Sequence, residues 1–187
     1  MATPALLEPS MAAAVRVALP AGVAVPPGSS RKPSSWSGAT SGAPAALGPT
    51  EKLVHFVRHA QGFHNISPLK IQQRPHDARL TPEGEAQCAA LQAATAALRP
   101  ALVVSSPLTR TLQTATLCFE PQREAAGAPP LTALEGVRET CNFLCDGRRP
   151  LSQIRPEFPA VDFGGCADDA DALWASYEAK YLSLIHI

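Results

Sequence analysis

Short apolar runs alternate with helical segments along this chain, and that alternation is the strongest constraint on its fold. Residues 52–58 read KLVHFVR and residues 101–105 read ALVVS, which have the length and composition of buried strands. A shorter strand-forming run follows at 131–134. Helical patterns come after the first two runs, at residues 82–98 and 107–116. Strands that alternate with helices in this way predict an α/β fold with a mainly parallel sheet covered on both faces.

The helix at 82–98 has clear start and stop signals. Thr81 is a suitable N-cap, Pro82 suits the first helical position, and two glutamates follow in the first turn. Pro100 ends the helix. A later helix is predicted near residues 169–181, with acidic residues at its N-terminus.

The first fifty residues differ in composition from the rest. They contain 12 Ala, 8 Pro, 7 Ser and 5 Gly, with only four charged side chains. Prolines at this density interrupt helices and strands, and no sustained apolar face offsets the entropy lost on ordering. We therefore expect residues 1–50 to be disordered, as a tail or as an organelle transit peptide, and residues 51–187 to form the domain.

Charge and cysteine content argue against several classes of protein. Lys and Arg number 16, as do Asp and Glu, so the basic excess of a nucleic-acid binder is missing. No run approaches the roughly 18 apolar residues of a membrane span. Five cysteines without CxxC pairs favour reduced thiols over a disulfide framework or a zinc site. We expect a cytoplasmic protein, or a plastid or other organellar one if residues 1–50 are a transit peptide, with neither nucleic-acid nor membrane partners.

Residues suited to phosphate chemistry follow the first two strand runs. Ligands of parallel sheets bind beyond the carboxyl ends of the strands, which singles out residues 58–65 (RHAQGFHN) and 105–115 (SSPLTRTLQTA). Arg58 and Arg110 offer planar guanidinium groups that match phosphate oxygens. His59, placed among such cations, would stay neutral and nucleophilic and would accept a phosphoryl group.

Further candidates lie near these two stretches or in the segment LEGVRE. Gly62 would let the backbone approach a ligand, and Asn65 adds hydrogen-bond donors. Glu139 would donate a proton to the leaving oxygen, with Glu135 as its nearest rival. No carboxylate or cysteine is spaced to complete a metal site with the neighbouring histidines. We therefore interpret His55 as an ordinary strand residue, and we place His64 at the mouth of the pocket. Arg148 and Arg149 are interpreted as surface charges.

Four spaced motifs together resemble the histidine phosphatase superfamily, also called phosphoglycerate mutase-like proteins. RHAQGFHN, LTPEG, SSPLTRTLQTA and LEGVRE occur in the family's order, and CNFLCDGRRPLSQIRPEFPAVDF is similar to the plant and fungal branch. The likeness covers about residues 52–181 and implies a three-layer α/β/α sandwich with a mainly parallel sheet. It also implies roles for five residues: His59 as the phosphorylated nucleophile, Glu139 as the general acid, and Arg58, Arg110 and Asn65 in phosphate binding.

The chain departs from the family pattern in two places. Ala60 stands where the family usually has glycine, although its small side chain should preserve the turn. The family also has a second catalytic histidine on a C-terminal strand. Residues 183–187 read SLIHI, but the helix that should precede such a strand is missing, so His186 is a poor candidate. We therefore expect this chain to lack the C-terminal strand and helix.

These features predict a phosphomonoester hydrolase that works through a phosphohistidine at His59. No metal or other cofactor is expected, because the arginines neutralise the phosphate. The substrate would be a small phosphorylated molecule or a phosphoprotein. One alternative is a mutase-type phosphotransferase, although the large insertion of a dedicated mutase is missing. The other is a non-catalytic phospholigand-binding or regulatory module, which the change at Ala60 and the missing second histidine favour.

Overall fold

The polar loops of this protein connect the strands of a three-stranded parallel sheet with the neighbouring helices. The computed structural model describes residues 12–18, 51–68, 75–123 and 128–182. The strands are β1 (Ala12–Ala18), β2 (Glu51–Val57), β3 (Val103–Ser105), β4 (Leu131–Leu134) and β5 (Val161–Gly165). The α-helices are α1 (Phe63–Ile66), α2 (Pro82–Ala97), α3 (Thr109–Cys118), α4 (Glu120–Arg123), α5 (Leu151–Ile154) and α6 (Ala172–Tyr177). Short 3₁₀ turns lie at Glu135–Val137, Leu144–Asp146 and Arg155–Glu157, and a π-helical turn at Glu178–Leu182 extends α6.

The parallel sheet has the strand order β3–β4–β5, which confirms the predicted α/β class. Helices α3 and α4 connect β3 to β4, as the alternation of strand and helix requires. Strand β5 had not been identified from the sequence. Its side chains alternate between the core and solvent, with Val161 and Phe163 buried, but two glycines end the strand and obscure the pattern.

Strand β2 pairs antiparallel with β1 in a separate two-stranded sheet, with Ala12 opposite Val57 and Ala18 opposite Glu51. The expectation of a disordered segment over residues 1–50 is therefore wrong for residues 12–18. This stretch contains no proline, so every backbone group in it can join the ladder that an edge strand offers. The remainder of that expectation lies outside the described residues.

Two clusters of buried side chains form the core, and α3 contributes to both. Leu112 packs into the cluster beneath the parallel sheet, whereas Cys118 packs into the one between α2, α3 and the end of β2. Each fully buried leucine contributes about 2 kcal/mol relative to an exposed one. Helix α3 therefore lies at the junction of the two clusters. None of the helices in the described part of the chain has the length and apolar content of a membrane span.

The start of α2 is held against the loop that follows β2. The Thr81 hydroxyl accepts a hydrogen bond from the Gly84 N–H (3.0 Å), and Pro82 occupies the first helical position, which confirms both predictions. The Thr81 N–H donates to the Gln61 carbonyl oxygen at 2.9 Å. The motif LTPEG therefore caps the helix and also joins it to the residues just beyond His59.

Gly84→Ala is expected to destabilise the protein, because a Cβ at position 84 would overlap the Gln61 carbonyl oxygen. Overpacking of this kind costs about 1–3 kcal/mol, since backbone has to shift. The matched control is Gly136→Ala, because a Cβ at position 136 would meet no heavy atom within 4 Å. Thermal unfolding of both variants measures the difference. Equal midpoints would show that the close approach of α2 to Gln61 does not constrain the fold.

Candidate active site

The carboxyl ends of β2 and β3 meet at a cleft of about 260 Å³. The loop after β2 contributes Arg58 and His59, and the segment from β3 into α3 contributes polar and apolar wall residues. The 3₁₀ turn after β4 and the residues that follow it complete the cleft. The lining residues are Arg58, His59, Ser106, Leu108, Thr111, Val137, Arg138 and Glu139. Three of the predicted site residues are therefore brought together: Arg58, His59 and Glu139.

The imidazole of His59 is oriented by its own turn. Its Nδ1 lies 2.8 Å from the Ala60 carbonyl oxygen, which can only accept a hydrogen bond. Nδ1 therefore carries the proton, and Nε2 carries the lone pair. Burial lowers the pKa of His59 below its usual value of 6.5; the positive charges of Arg110 and Arg58 act in the same direction, against the Ala60 hydrogen bond and Glu139. The imidazole of His59 is thus neutral near pH 7.

The lowered pKa of His59 predicts how its ring responds to acid. In an NMR titration, the ring protons of His59 should show a midpoint below pH 6.5. Below the unfolded value of 6.5, the unfolded chain takes up a proton that folded His59 does not yet accept, so this residue lowers the free energy of unfolding as the pH falls. A titration midpoint at or above 6.5 would contradict the neutral state of the imidazole.

The turn that holds His59 is attached to α3 by a single hydroxyl group. The Ala60 N–H donates to Thr114 Oγ1 at 3.1 Å, and that hydroxyl donates to the Arg110 carbonyl oxygen at 2.8 Å. The methyl group of Ala60 is buried in the core, so the cluster accommodates alanine at this position. The end of β2 and the second turn of α3 therefore share one hydrogen-bonded junction.

Arg110 is fully buried and does not line the cleft. Its Nη1 donates to the Cys145 carbonyl oxygen at 2.5 Å, and its Nη2 lies 3.0 Å from Glu139 Oε2 and 3.4 Å from Asp146 Oδ1. The sequence had suggested a guanidinium open to phosphate, whereas here protein acceptors occupy it. Since 60% of the Glu139 side chain is exposed, this carboxylate is the partner most easily displaced by a phosphate.

Arg58 is the cation most available to a ligand. Its side chain is exposed, it lines the cleft, and it has no ion-pair partner within the described ranges. An incoming phosphate would therefore meet Arg58 first and compete with Glu139 for Arg110 afterwards.

Residues 54–174 match the family model described as the histidine phosphatase superfamily, branch 1. The chain belongs to this superfamily. A phosphoglycerate mutase-like protein of Arabidopsis thaliana is 34% identical over 156 residues, covering 66% of this chain and 58% of the relative. Phosphoglycerate mutase-like protein 2 of Arabidopsis thaliana is 33% identical over 181 residues, covering 66% of this chain and 53% of the relative. The chain thus spans little more than half the length of these relatives. No solved structure matches it.

Two other residues that the sequence assigned to phosphate lie in the turn that follows His59, and neither lines the cleft. The Gly62 N–H donates to Asn65 Oδ1 at 2.8 Å, and the Asn65 N–H donates to the Gly62 carbonyl oxygen at 2.9 Å. A Cβ at position 62 would lie 2.7 Å from His64 Nδ1. The close approach of the His64 ring explains why glycine is needed at position 62. A phosphate-binding role for Gly62 or Asn65 stays a prediction.

The two histidines that flank His59 lie apart from the cleft lining. His64 is buried, with its ring centroid 5.2 Å from that of His59, so its predicted place at the pocket mouth is wrong. His55 lies in β2, where burial lowers its pKa. Among the described residues, no three His, Cys, Asp or Glu side chains are grouped so as to hold a metal ion.

A buried ion-pair network behind the cleft had not been foreseen. Arg138 pairs with Asp171 through Nη1 and Nη2, each 2.8 Å from one carboxylate oxygen. Its Nη1 also lies 2.9 Å from Glu135 Oε2. Arg148 donates to Glu135 Oε1 at 2.7 Å and to the carbonyl oxygens of residues 168–170. The assignment of Arg148 to the surface is therefore wrong, because these acceptors replace water. Glu135 is held by two arginines, which leaves Glu139 as the more exposed carboxylate.

Asp77 is a further site residue that the sequence analysis missed. Its carboxylate is fully buried and accepts hydrogen bonds from the Thr109 N–H (2.8 Å), the Thr109 hydroxyl (2.6 Å) and Arg149 Nε (3.0 Å). It also adopts the left-handed backbone conformation, with φ of 43°. Asp77 thereby anchors the first turn of α3, next to Arg110. A single aspartate in a loop gave no signal, because its partners lie 32 and 72 residues away.

Proposed function

We propose that this protein hydrolyses phosphate monoesters through a phosphohistidine formed on Nε2 of His59. The observation that carries the proposal is the hydrogen bond from Nδ1 to the Ala60 carbonyl, which leaves Nε2 unprotonated in the cleft that Arg58 and Glu139 also line. Membership of the histidine phosphatase superfamily supports a phosphatase or mutase type of activity.

The reaction begins when the substrate phosphate binds Arg58 and displaces Glu139 from Arg110. Both guanidinium groups then neutralise the phosphate, and Nε2 of His59 attacks the phosphorus atom. The bond from phosphorus to the ester oxygen breaks as the new bond to Nε2 forms. Glu139, released from Arg110, takes up a proton from solvent and donates it to the leaving oxygen. Water then attacks the phosphohistidine and gives up a proton to the Glu139 carboxylate, which releases inorganic phosphate and regenerates the neutral imidazole.

Trapping the covalent intermediate tests this proposal. Protein mixed with phenyl phosphate labelled in its phosphoryl group and quenched in base should retain label on the peptide that contains His59. A phosphohistidine is labile in acid and stable in base, unlike a phosphoserine, so the two quenches distinguish these species. Release of phosphate without label on His59, or label on another residue, would reject the proposed mechanism.

A non-catalytic phospholigand-binding module is the second candidate, because protein acceptors already occupy Arg110. Its Nη1 is bound to the Cys145 carbonyl and its Nη2 to two carboxylates, so only Arg58 is open to a ligand. A module of this kind would bind phosphate at Arg58 without forming label on His59. Equilibrium binding combined with the trapping experiment separates the two functions.

A further inference from the structure

We infer that this cleft takes phosphate monoesters whose organic group is apolar and uncharged, in preference to phosphorylated acids. The inference rests on the proposed function only in that the cleft is taken as the phosphate site. Three observations carry it: the pairing of the surrounding arginines, the carboxylates near the phosphate position, and the exposed apolar side chain in the wall.

The arginines behind the cleft are neutralised by carboxylates. Arg138 lines the cleft, but both terminal nitrogens of its guanidinium point at Asp171, and one also contacts Glu135. Arg148 is bound to Glu135 and to four backbone carbonyls. Neither guanidinium has a terminal nitrogen left for a second anionic group of a substrate.

The remaining cations suffice for one phosphate group. Arg110 is shared with Glu139 and Asp146, and of the two arginines that line the cleft, Arg58 is the one without a carboxylate partner in the described part of the chain. A substrate carboxylate in the same cleft would approach Glu139 without a cation to neutralise it. Like charges that are only partly hydrated repel each other, so a phosphorylated acid binds less well than its uncharged analogue.

The wall next to these groups is apolar or already hydrogen-bonded. Val137 lines the cleft and is 51% exposed. The Thr111 hydroxyl donates to backbone carbonyl oxygens at 2.7 Å, and Ser106 Oγ accepts from the Leu108 N–H at 3.3 Å. These hydroxyls already have hydrogen-bond partners within the protein. Burial of the Val137 side chain against a ligand would be energetically favourable. An aryl or alkyl group beside the phosphate would cover it.

Two phosphonates that cannot be hydrolysed test the inference without requiring catalysis. Benzylphosphonate carries a phenyl ring, whereas 3-phosphonopropionate carries a carboxylate in a similar position. Calorimetric titration of the whole chain should give benzylphosphonate a dissociation constant at least about tenfold lower. Val137→Lys should reverse this order, because it adds a cation to the wall at an exposed position. Val137→Leu, the matched control, should keep it.

Each outcome bears on one proposal separately. The inference would be overturned if the unmodified chain bound 3-phosphonopropionate as tightly as benzylphosphonate or more tightly. It would also be overturned if neither compound bound measurably. An unchanged order of affinities in Val137→Lys would show that the wall does not select the organic group. If benzylphosphonate is preferred and phenyl phosphate leaves no label on His59, the inference stands and the proposed hydrolase function fails.

Discussion

Replacing His59 with alanine is expected to abolish both the trapped phosphoenzyme and turnover of phenyl phosphate, with a fall in kcat of about a thousandfold or more. The reason is that Nε2 is the atom that forms the bond to phosphorus, and none of the other cleft-lining residues is a histidine. The fold should tolerate the change. The His59 ring is hydrogen-bonded to the adjacent Ala60 carbonyl and is only partly buried.

The matched control for His59 is His76→Ala. His76 is an exposed histidine that does not line the cleft, so its loss should leave turnover within about twofold of the unmodified chain. Comparison of the thermal midpoints of both variants shows whether lost activity reflects lost structure. Undiminished turnover by a folded His59→Ala variant would end the phosphohistidine mechanism.

Arg110→Ala should lower both stability and turnover. Removal of the guanidinium leaves the buried carboxylate of Asp146 without its cation and the Cys145 carbonyl without its donor. Breaking a buried ion pair by removing one partner costs about 3–5 kcal/mol, which denaturant unfolding would measure directly. Turnover at a temperature where the variant is folded should fall by about a hundredfold or more, as expected for the loss of a charge-assisted phosphate contact.

Arg58→Ala separates the loss of turnover from the loss of stability that Arg110→Ala combines. Arg58 is exposed and has no ion-pair partner among the described residues, so its removal should leave the free energy of unfolding within about 0.5 kcal/mol. Turnover should still fall, because the first cation met by the phosphate is gone. If Arg110→Ala proved as stable as Arg58→Ala, the buried contacts of Arg110 would not be structural.

Local signals accounted for much of the fold and part of the site. Thr81 and Pro82 announce the start of α2 without help from distant residues, and short apolar runs identify β2 and β3. Arg58 and His59 follow the end of β2, as the apolar run before them indicated, and both line the cleft. Each of these predictions depends on neighbours within a few positions of the chain.

Features that depend on distant partners were not predictable in the same way. The acceptors on Arg110 lie 29 to 36 residues away along the chain. They occupy the terminal nitrogens of a guanidinium that the sequence suggested was open to phosphate. Burial of Arg148 depends on carbonyl oxygens about 20 residues further along. The pairing of β1 with β2 joins segments separated by more than thirty positions. Charge and periodicity do not reveal which distant groups will meet.

The Thr114 hydroxyl couples the turn that holds His59 to helix α3. This hydroxyl accepts from the Ala60 N–H and donates to the Arg110 carbonyl oxygen, so movement of the turn away from α3 requires the hydrogen bond to Ala60 to break. Local unfolding of the second turn of α3 would release the Ala60 N–H and the backbone of Arg110 together. The positions of His59 and Arg110 are therefore linked through one side chain.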